Sequence, residues 1–400
     1  MLRRYLLLAV PIVILACTST ESNSTARWSG TTDTLPGGVL LVRNPSAGVW
    51  DSASAWRVEE DFRIGSVEGT GPESFAAIAH VNVDATGRVY VLDRQSKDVR
   101  VFDSTGKHVR TMGRDGAGPG ELRDPIGMAF DTLGQLWIVD PSNVRYTVFD
   151  TGGRFVTSHR RPISSYTIPW PGGFDSQGRL YDVLFGAGGG MSDRSLLRYT
   201  SSLEPADTIP IPSGPPQETF KLVTASSQTI TSIPFLGGLA WLFDGRGGYL
   251  WFGMTDSYRI YQSRLDGDTV RIIEREHQRL PVTSEDRAQA RERLSWFIKQ
   301  GGKIDESKFP DLKPAFEQIL VDDVGNLWVR VVEPADVTDT AFDVFDPEGR
   351  YLGRVRLTIK IAAYPLARIT RNAIHAVVMG EMDEPQVVRL RIVKPTRRVR

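Results

Sequence analysis

Cysteine is almost absent: the 400 residues hold one, Cys17. A disulfide framework within the chain and a cysteine-based zinc cluster are both excluded. Histidine is scarce too, at five residues, and net charge is missing, with Lys plus Arg and Asp plus Glu at 48 each. No basic excess points to nucleic acid, and no acidic block points to a solvating tail. The apolar run at the start of the chain, residues 6–16, is shorter than the ~20 residues that a bilayer span needs. What is abundant is glycine, 38 residues, together with nine tryptophans. That balance suits a β-rich fold with many tight turns.

Arg3 and Arg4 precede the apolar run LLLAVPIVILA. A basic start and a short apolar core make a secretory signal. The segment Ile14-Leu15-Ala16-Cys17 resembles the bacterial lipobox, with Ile14 where Leu is usual. The resemblance implies that residues 1–16 are a signal peptide. Cys17 would then be lipidated and anchor the protein to a membrane of the bacterial cell envelope. Two or three acyl chains anchor stably, whereas one binds only marginally. Thr18 is not the Asp that retains such lipoproteins at the inner membrane, so the resemblance points to the outer one. Residues 17–45 are expected to be the lipidated cysteine and a flexible tether, since the stretch after Cys17 is polar and has nothing to bury.

Internal repetition sets the fold class. Residues 83–91 (VDATGRVYV), 130–138 (FDTLGQLWI), 174–181 (FDSQGRLY) and 321–329 (VDDVGNLWV) are copies of one pattern. Another copy, Phe243 to Trp251, has one extra residue before Gly248, and a degenerate copy runs through 369–375. Each reads as a strand, a tight Asp-x-x-Gly turn and a second strand. A second hairpin follows in several copies, as at Val101–Gly106, Val148–Gly152 and Val344–Gly349. Two hairpins make the four strands of one propeller blade. The turn positions 87, 134, 178, 248, 325 and 372 give six blades. The intervals 178 to 248 and 248 to 325 exceed the ~40–50-residue period and carry insertions, 212–236 and 274–315. Residues 62–75 resemble 109–122, the end of blade one. The chain therefore begins with the outermost strand of the blade whose inner strands come last, a closure that removes a free sheet edge. The expectation is an all-β, six-bladed propeller of four-stranded antiparallel blades over 46–396, with a small helical insertion between blades four and five.

The stretch Gly113 to Asp150, with its degenerate GxGxGPGEL, Pro125-Ile126-Gly127, Asp131-x-x-Gly134 and Val139-Asp140, resembles an NHL repeat of the TolB-like six-bladed propellers. The whole chain is similar to bacterial six-bladed propeller lipoproteins. This resemblance implies the fold and says little of function, because propellers host many functions.

Both insertions and the loop Gly186–Gly190 fall on the face opposite the Asp-x-x-Gly turns, here called the top. A phosphate cradle at Gly186–Gly190 is rejected because no helix N-terminus follows it. The insertion 274–315 holds a helix expected over 283–300, capped by Thr283 with Asp286 at the third position. Ala290, Leu294, Phe297 and Ile298 share one face, expected to pack on the propeller; a partial lid over the channel mouth is the sharper version. Counting back from each turn gives the starts of the innermost strands. The polar and aromatic residues there, with Arg368 three residues further along, are the candidate channel-mouth ligand-binding set: His80, Trp170, Glu317, Gln318, Tyr364 and Arg368. His80 with Glu317 is the start of an acid–base or metal site but too little to complete one. Other mouth positions carry Gly, Pro or aliphatic residues. The expected function is therefore an envelope lipoprotein whose top face binds a protein, peptide or glycan, with no cofactor, no metal site and no assigned catalytic residue. The alternative is a channel-mouth hydrolase or lyase, lactonase-like, with or without a divalent metal.

Overall fold

The Asp-x-x-Gly pattern builds the same local network in successive blades. At the second copy, Asp131 Oδ1 accepts the N–H groups of Leu133 (2.9 Å) and Gln135 (2.8 Å), and Oδ2 accepts from Trp137 Nε1 (2.9 Å). Tyr90 returns its hydroxyl to Asp84, Tyr181 to Asp175 and Trp328 its Nε1 to Asp322 in the same way. The aromatic residue six places after each Asp thus ties the second strand to the turn. Gly134 takes φ 77°, which a side chain would strain.

The computed structural model describes residues 27–67, 71–162, 169–186 and 193–395. Residues 1–26, and with them the signal peptide and Cys17, lie outside the described residues, as do 187–190 of the glycine loop. Six antiparallel blades follow in chain order. Their innermost strands are Ile78–Val83, Gly127–Phe130, Gly173–Phe174, Leu239–Asp244, Phe316–Val321 and Arg368–Ile369. In the last blade Pro385–Val393 pairs with Arg57–Ile64, from Val387 opposite Ile64 to Val393 opposite Arg57. The ring closes by the strand exchange that the sequence implied. Each neighbouring pair of blades shares one apolar cluster, such as Val89, Val91 and Phe102 against Val377 and Val387 across the closure. Burial between blades, not within one, holds the disc together.

Three elements differ from the sequence expectations. First, the tether expected through 45 gives way to structure earlier. Thr31–Thr34 and Leu40–Asn44 form a hairpin, and the second strand joins blade four in parallel, Leu40 opposite Arg271 through Asn44 opposite Arg275. Leu41 and Val42 are buried there. Buried Asn44 donates to the carbonyls of Glu274 (3.1 Å) and Gly349 (3.0 Å) and accepts from Trp28 Nε1 (2.8 Å) and the Tyr351 N–H (2.7 Å). Four polar contacts and an apolar pair fix a segment that composition alone assigned to a linker.

Second, insertion 212–236 is not only a loop: Thr219–Val223 and Gln228–Ser232 form a hairpin. Third, the helix forms where expected, but in two pieces, α1 (Ser284–Arg293) and α2 (Ser295–Lys299), bent at Leu294. Its capping box is complete: Thr283 Oγ1 accepts the Asp286 N–H, and the Asp286 carboxylate accepts the Thr283 N–H. The bend turns Ile298 outward, so only Ala290, Leu294 and Phe297 of the expected face are buried. Their partners are Phe220 and Ile233 of the other insertion and Phe309. The apolar side of the helix therefore packs on the first insertion, 212–236, so that the two insertions bury one another's apolar surface.

Candidate functional site

Two cavities follow one another along the propeller axis. The upper one, about 840 Å³, opens on the top face; the lower, about 490 Å³, lies toward the Asp-x-x-Gly turns, and His80 borders both. Five of the six candidates converge on the upper cavity: His80, Trp170, Glu317, Gln318 and Tyr364. Arg368 does not. It starts its two-residue strand deeper along the channel and lines the lower cavity, so its assignment to the mouth is corrected.

Each polar member of the upper set has a definite state. The His80 Nδ1 accepts the Met128 N–H at 3.0 Å, which leaves its proton on Nε2. Burial, and then the nearby Arg368 charge, push its pKa down to about 4, so the ring is neutral near pH 7. Glu317 is paired with Arg330, 3.1 Å away, whose two terminal nitrogens also hold the Ala362 and Ile361 carbonyls. Gln318 Nε2 donates to the Ala363 carbonyl at 2.6 Å. Trp170 is buried, with its Nε1 on Asp182 at 2.7 Å. Asp182 in turn is gripped by buried Arg161 at 2.7 and 3.0 Å. This wall of the cavity is held by an ion pair deep between blades two and three. Tyr364, by contrast, is 65% exposed at the rim.

Sequence reasoning missed Arg194 and Trp241. Arg194 opens the third strand of blade three, just after the glycine loop already placed on top, and that placement was the usable signal. Its guanidinium lies over the Trp241 ring of the next blade, 5.6 Å from the centroid. Pro215, Pro216 and Gln217 of the first insertion complete the rim. The helical insertion lies outside the upper cavity and is fixed in place by polar contacts. Lys313 Nζ meets the Asp286 carboxylate at 2.5 Å, both side chains being buried, and Gln289 donates to the Ala335 carbonyl at 3.2 Å. Among the described residues no three His, Cys, Asp or Glu side chains come together in a set that could hold a metal ion. Among them, too, no helix is long and apolar enough to cross a membrane.

The fold and its axial cavities define the class, a six-bladed β-propeller. Residues 75–177 match the model of family DUF5128, described as a 6-bladed beta-propeller. Among solved structures, the chain is similar to a putative exported protein from Bacteroides fragilis, at 12% identity and TM-score 0.52, over 88% of this chain and 100% of that one. It is also similar to virginiamycin B lyase from Staphylococcus aureus (10% identity, TM-score 0.44, 85% of this chain and 100% of that one). A gluconolactonase from Xanthomonas campestris is a further likeness (12% identity, TM-score 0.42, 80% of this chain and 88% of that one). At these identities the likeness speaks to the fold alone. No curated protein matches the chain by sequence.

Proposed function

We propose that the protein is a lipid-anchored module of the bacterial cell envelope, held at the outer membrane through Cys17, that binds a ligand in the upper cavity without transforming it. The carrying observation is that the cavity's acid–base groups are already engaged. His80 is a weak base whose Nδ1 is occupied by a backbone N–H, and Glu317 is tied to Arg330. A general base needs a free basic atom facing the reacting proton. What remains is a wall of tryptophan, tyrosine and proline around a volume suited to a small or extended ligand. The hydrolase or lyase reading would need a free catalytic pair or a cation-binding set, and the described residues around the upper cavity supply neither.

The test places a photo-crosslinking amino acid at Tyr364 in cells of the native host. A discrete adduct is expected, and it should vanish when Gly214→Phe fills the mouth. Gly214 tolerates a side chain, since a Cβ there meets only side-chain atoms at 3.4–3.7 Å. Adduct formation unaffected by the plug would refute cavity binding. Lactone or ester hydrolysis by the purified protein, lost in Glu317→Gln, would establish the enzyme instead.

A further inference from the structure

Among the described residues that line the upper cavity, Arg194 is a cation without an ionic partner. Arg194 is half-buried, and its guanidinium makes no hydrogen bond and no ion pair with any described residue. Burial disfavours its charge, and among the described residues the ionisable neighbour that supports it is Tyr364. Glu317, which also lines the cavity, is paired with Arg330 at 3.1 Å. The guanidinium sits over the Trp241 ring, a cation–π contact that uses none of its N–H groups. A guanidinium whose N–H groups have no partner among the described residues matches the two oxygens of a carboxylate.

Around this cation the walls are apolar and aromatic. Trp241 of the next blade lies against it, and Trp170 and Tyr364 line the same cavity. We infer that the upper cavity takes a carboxylate borne on an aromatic or large apolar group, with Arg194 on its Trp241 platform as the anchor. This rests on the binding reading above and names the ligand class. The same chemistry occurs at the C-terminus of a peptide ending in an aromatic residue and in a free aryl-alkanoic acid.

Titration calorimetry on the full chain in detergent tests the inference with four probes: N-acetyl-Ala-Phe as its free acid and as its C-terminal amide, 3-phenylpropanoate, and 3-phenylpropanamide. Both acids should bind, and each amide should bind about tenfold to a hundredfold more weakly, the range for a lost hydrogen bond to a charged group. Arg194→Gln should abolish the preference for acids. Arg194→Lys should restore part of it, as a point charge without the planar fork. Unchanged thermal unfolding of both variants excludes a folding defect. The peptide acid binding more tightly than 3-phenylpropanoate identifies a chain terminus as the source; equal affinity identifies the free acid. Amides that bind as well as acids, with binding lost in Gly214→Phe, overturn the anionic anchor and leave the binding cavity standing. Binding of none of the four at millimolar concentration overturns the inferred ligand class, while the crosslinking at Tyr364 judges the cavity independently.

Discussion

Replacing Asp182 with Asn should be among the most destabilising conservative changes in the propeller. The carboxylate is fully buried and accepts from Arg161 Nε and Nη2, Trp170 Nε1, the Tyr146 hydroxyl (2.5 Å) and the Val183 N–H (2.7 Å). Its partner Arg161 is also buried, at 1% exposure. Asn keeps the shape and removes the charge, so the Arg161–Asp182 ion pair is lost in a place water does not reach. Breaking one side of such a pair costs about 3–5 kcal/mol. For a chain of this length the unfolding entropy is about 0.8 kcal/mol per kelvin, so the midpoint should fall by about 4–6 °C in calorimetry if the ring unfolds as one unit. Asn also offers Trp170 a poorer acceptor, so ligand binding in the upper cavity should weaken in parallel. A double-mutant cycle with Arg161→Met should show coupling of about 1 kcal/mol or more. A loss under about 1 kcal/mol with no coupling would show that water screens the pair and that the burial argument is wrong.

His80 and His375 both have pKa values pushed down to about 4, chiefly by burial. Unfolded they titrate near 6.5, so the unfolded chain binds more protons between those values. Stability should be complete above about pH 6.5 and fall toward pH 4, by about 3 kcal/mol per imidazole at most. Urea midpoints measured across that range check this, and His375→Leu should flatten the slope by about half. Asn44→Ala should cost about 2–4 kcal/mol through its four lost contacts. A chain beginning at residue 46 should lose at least as much in chemical denaturation. Cys17→Ser should abolish incorporation of labelled palmitate and move the protein into the soluble fraction; retained labelling would remove the anchor.

The blades were legible in the sequence because their defining contacts are local. Asp131, Gly134 and Trp137 make their network within seven residues, so it repeats as a string. The closure was legible for the same reason, since 62–75 carries a copy of a strand seen complete at 109–122. The hairpin at 31–44 was not legible. The partner of Leu40–Asn44 is Arg271–Arg275, remote in sequence, and its first strand is wholly exposed. Counting back along inner strands found five mouth residues, since strand position fixes height along the axis. The same count could not find Arg194, which belongs to a third strand and owes its place to a ring in the next blade. Inter-blade contacts of that kind leave no periodic trace.

The two insertions show why fold and site differ in legibility. Each has an apolar stripe, and read singly each stripe asks for the propeller as its partner. Together they satisfy one another through Phe220, Ile233, Ala290, Leu294 and Phe297, and the blades serve only as the base. The pair is then fixed by the buried contact of Asp286 with Lys313, whose ammonium also reaches the Glu333 carbonyl at 3.2 Å. Of the two insertions, the first reaches the cavity rim, through Gly214 to Gln217, and the packed helix holds its hairpin in place through Phe220 and Ile233. Trp170 on Asp182 and Arg194 on Trp241 extend the same logic to the cavity interior, where the recognising groups are held by the blades before any ligand arrives. Selectivity in such a site comes from fixed shape and the charge of Arg194, which is why changing that residue should alter which ligands bind while leaving the unfolding midpoint unmoved.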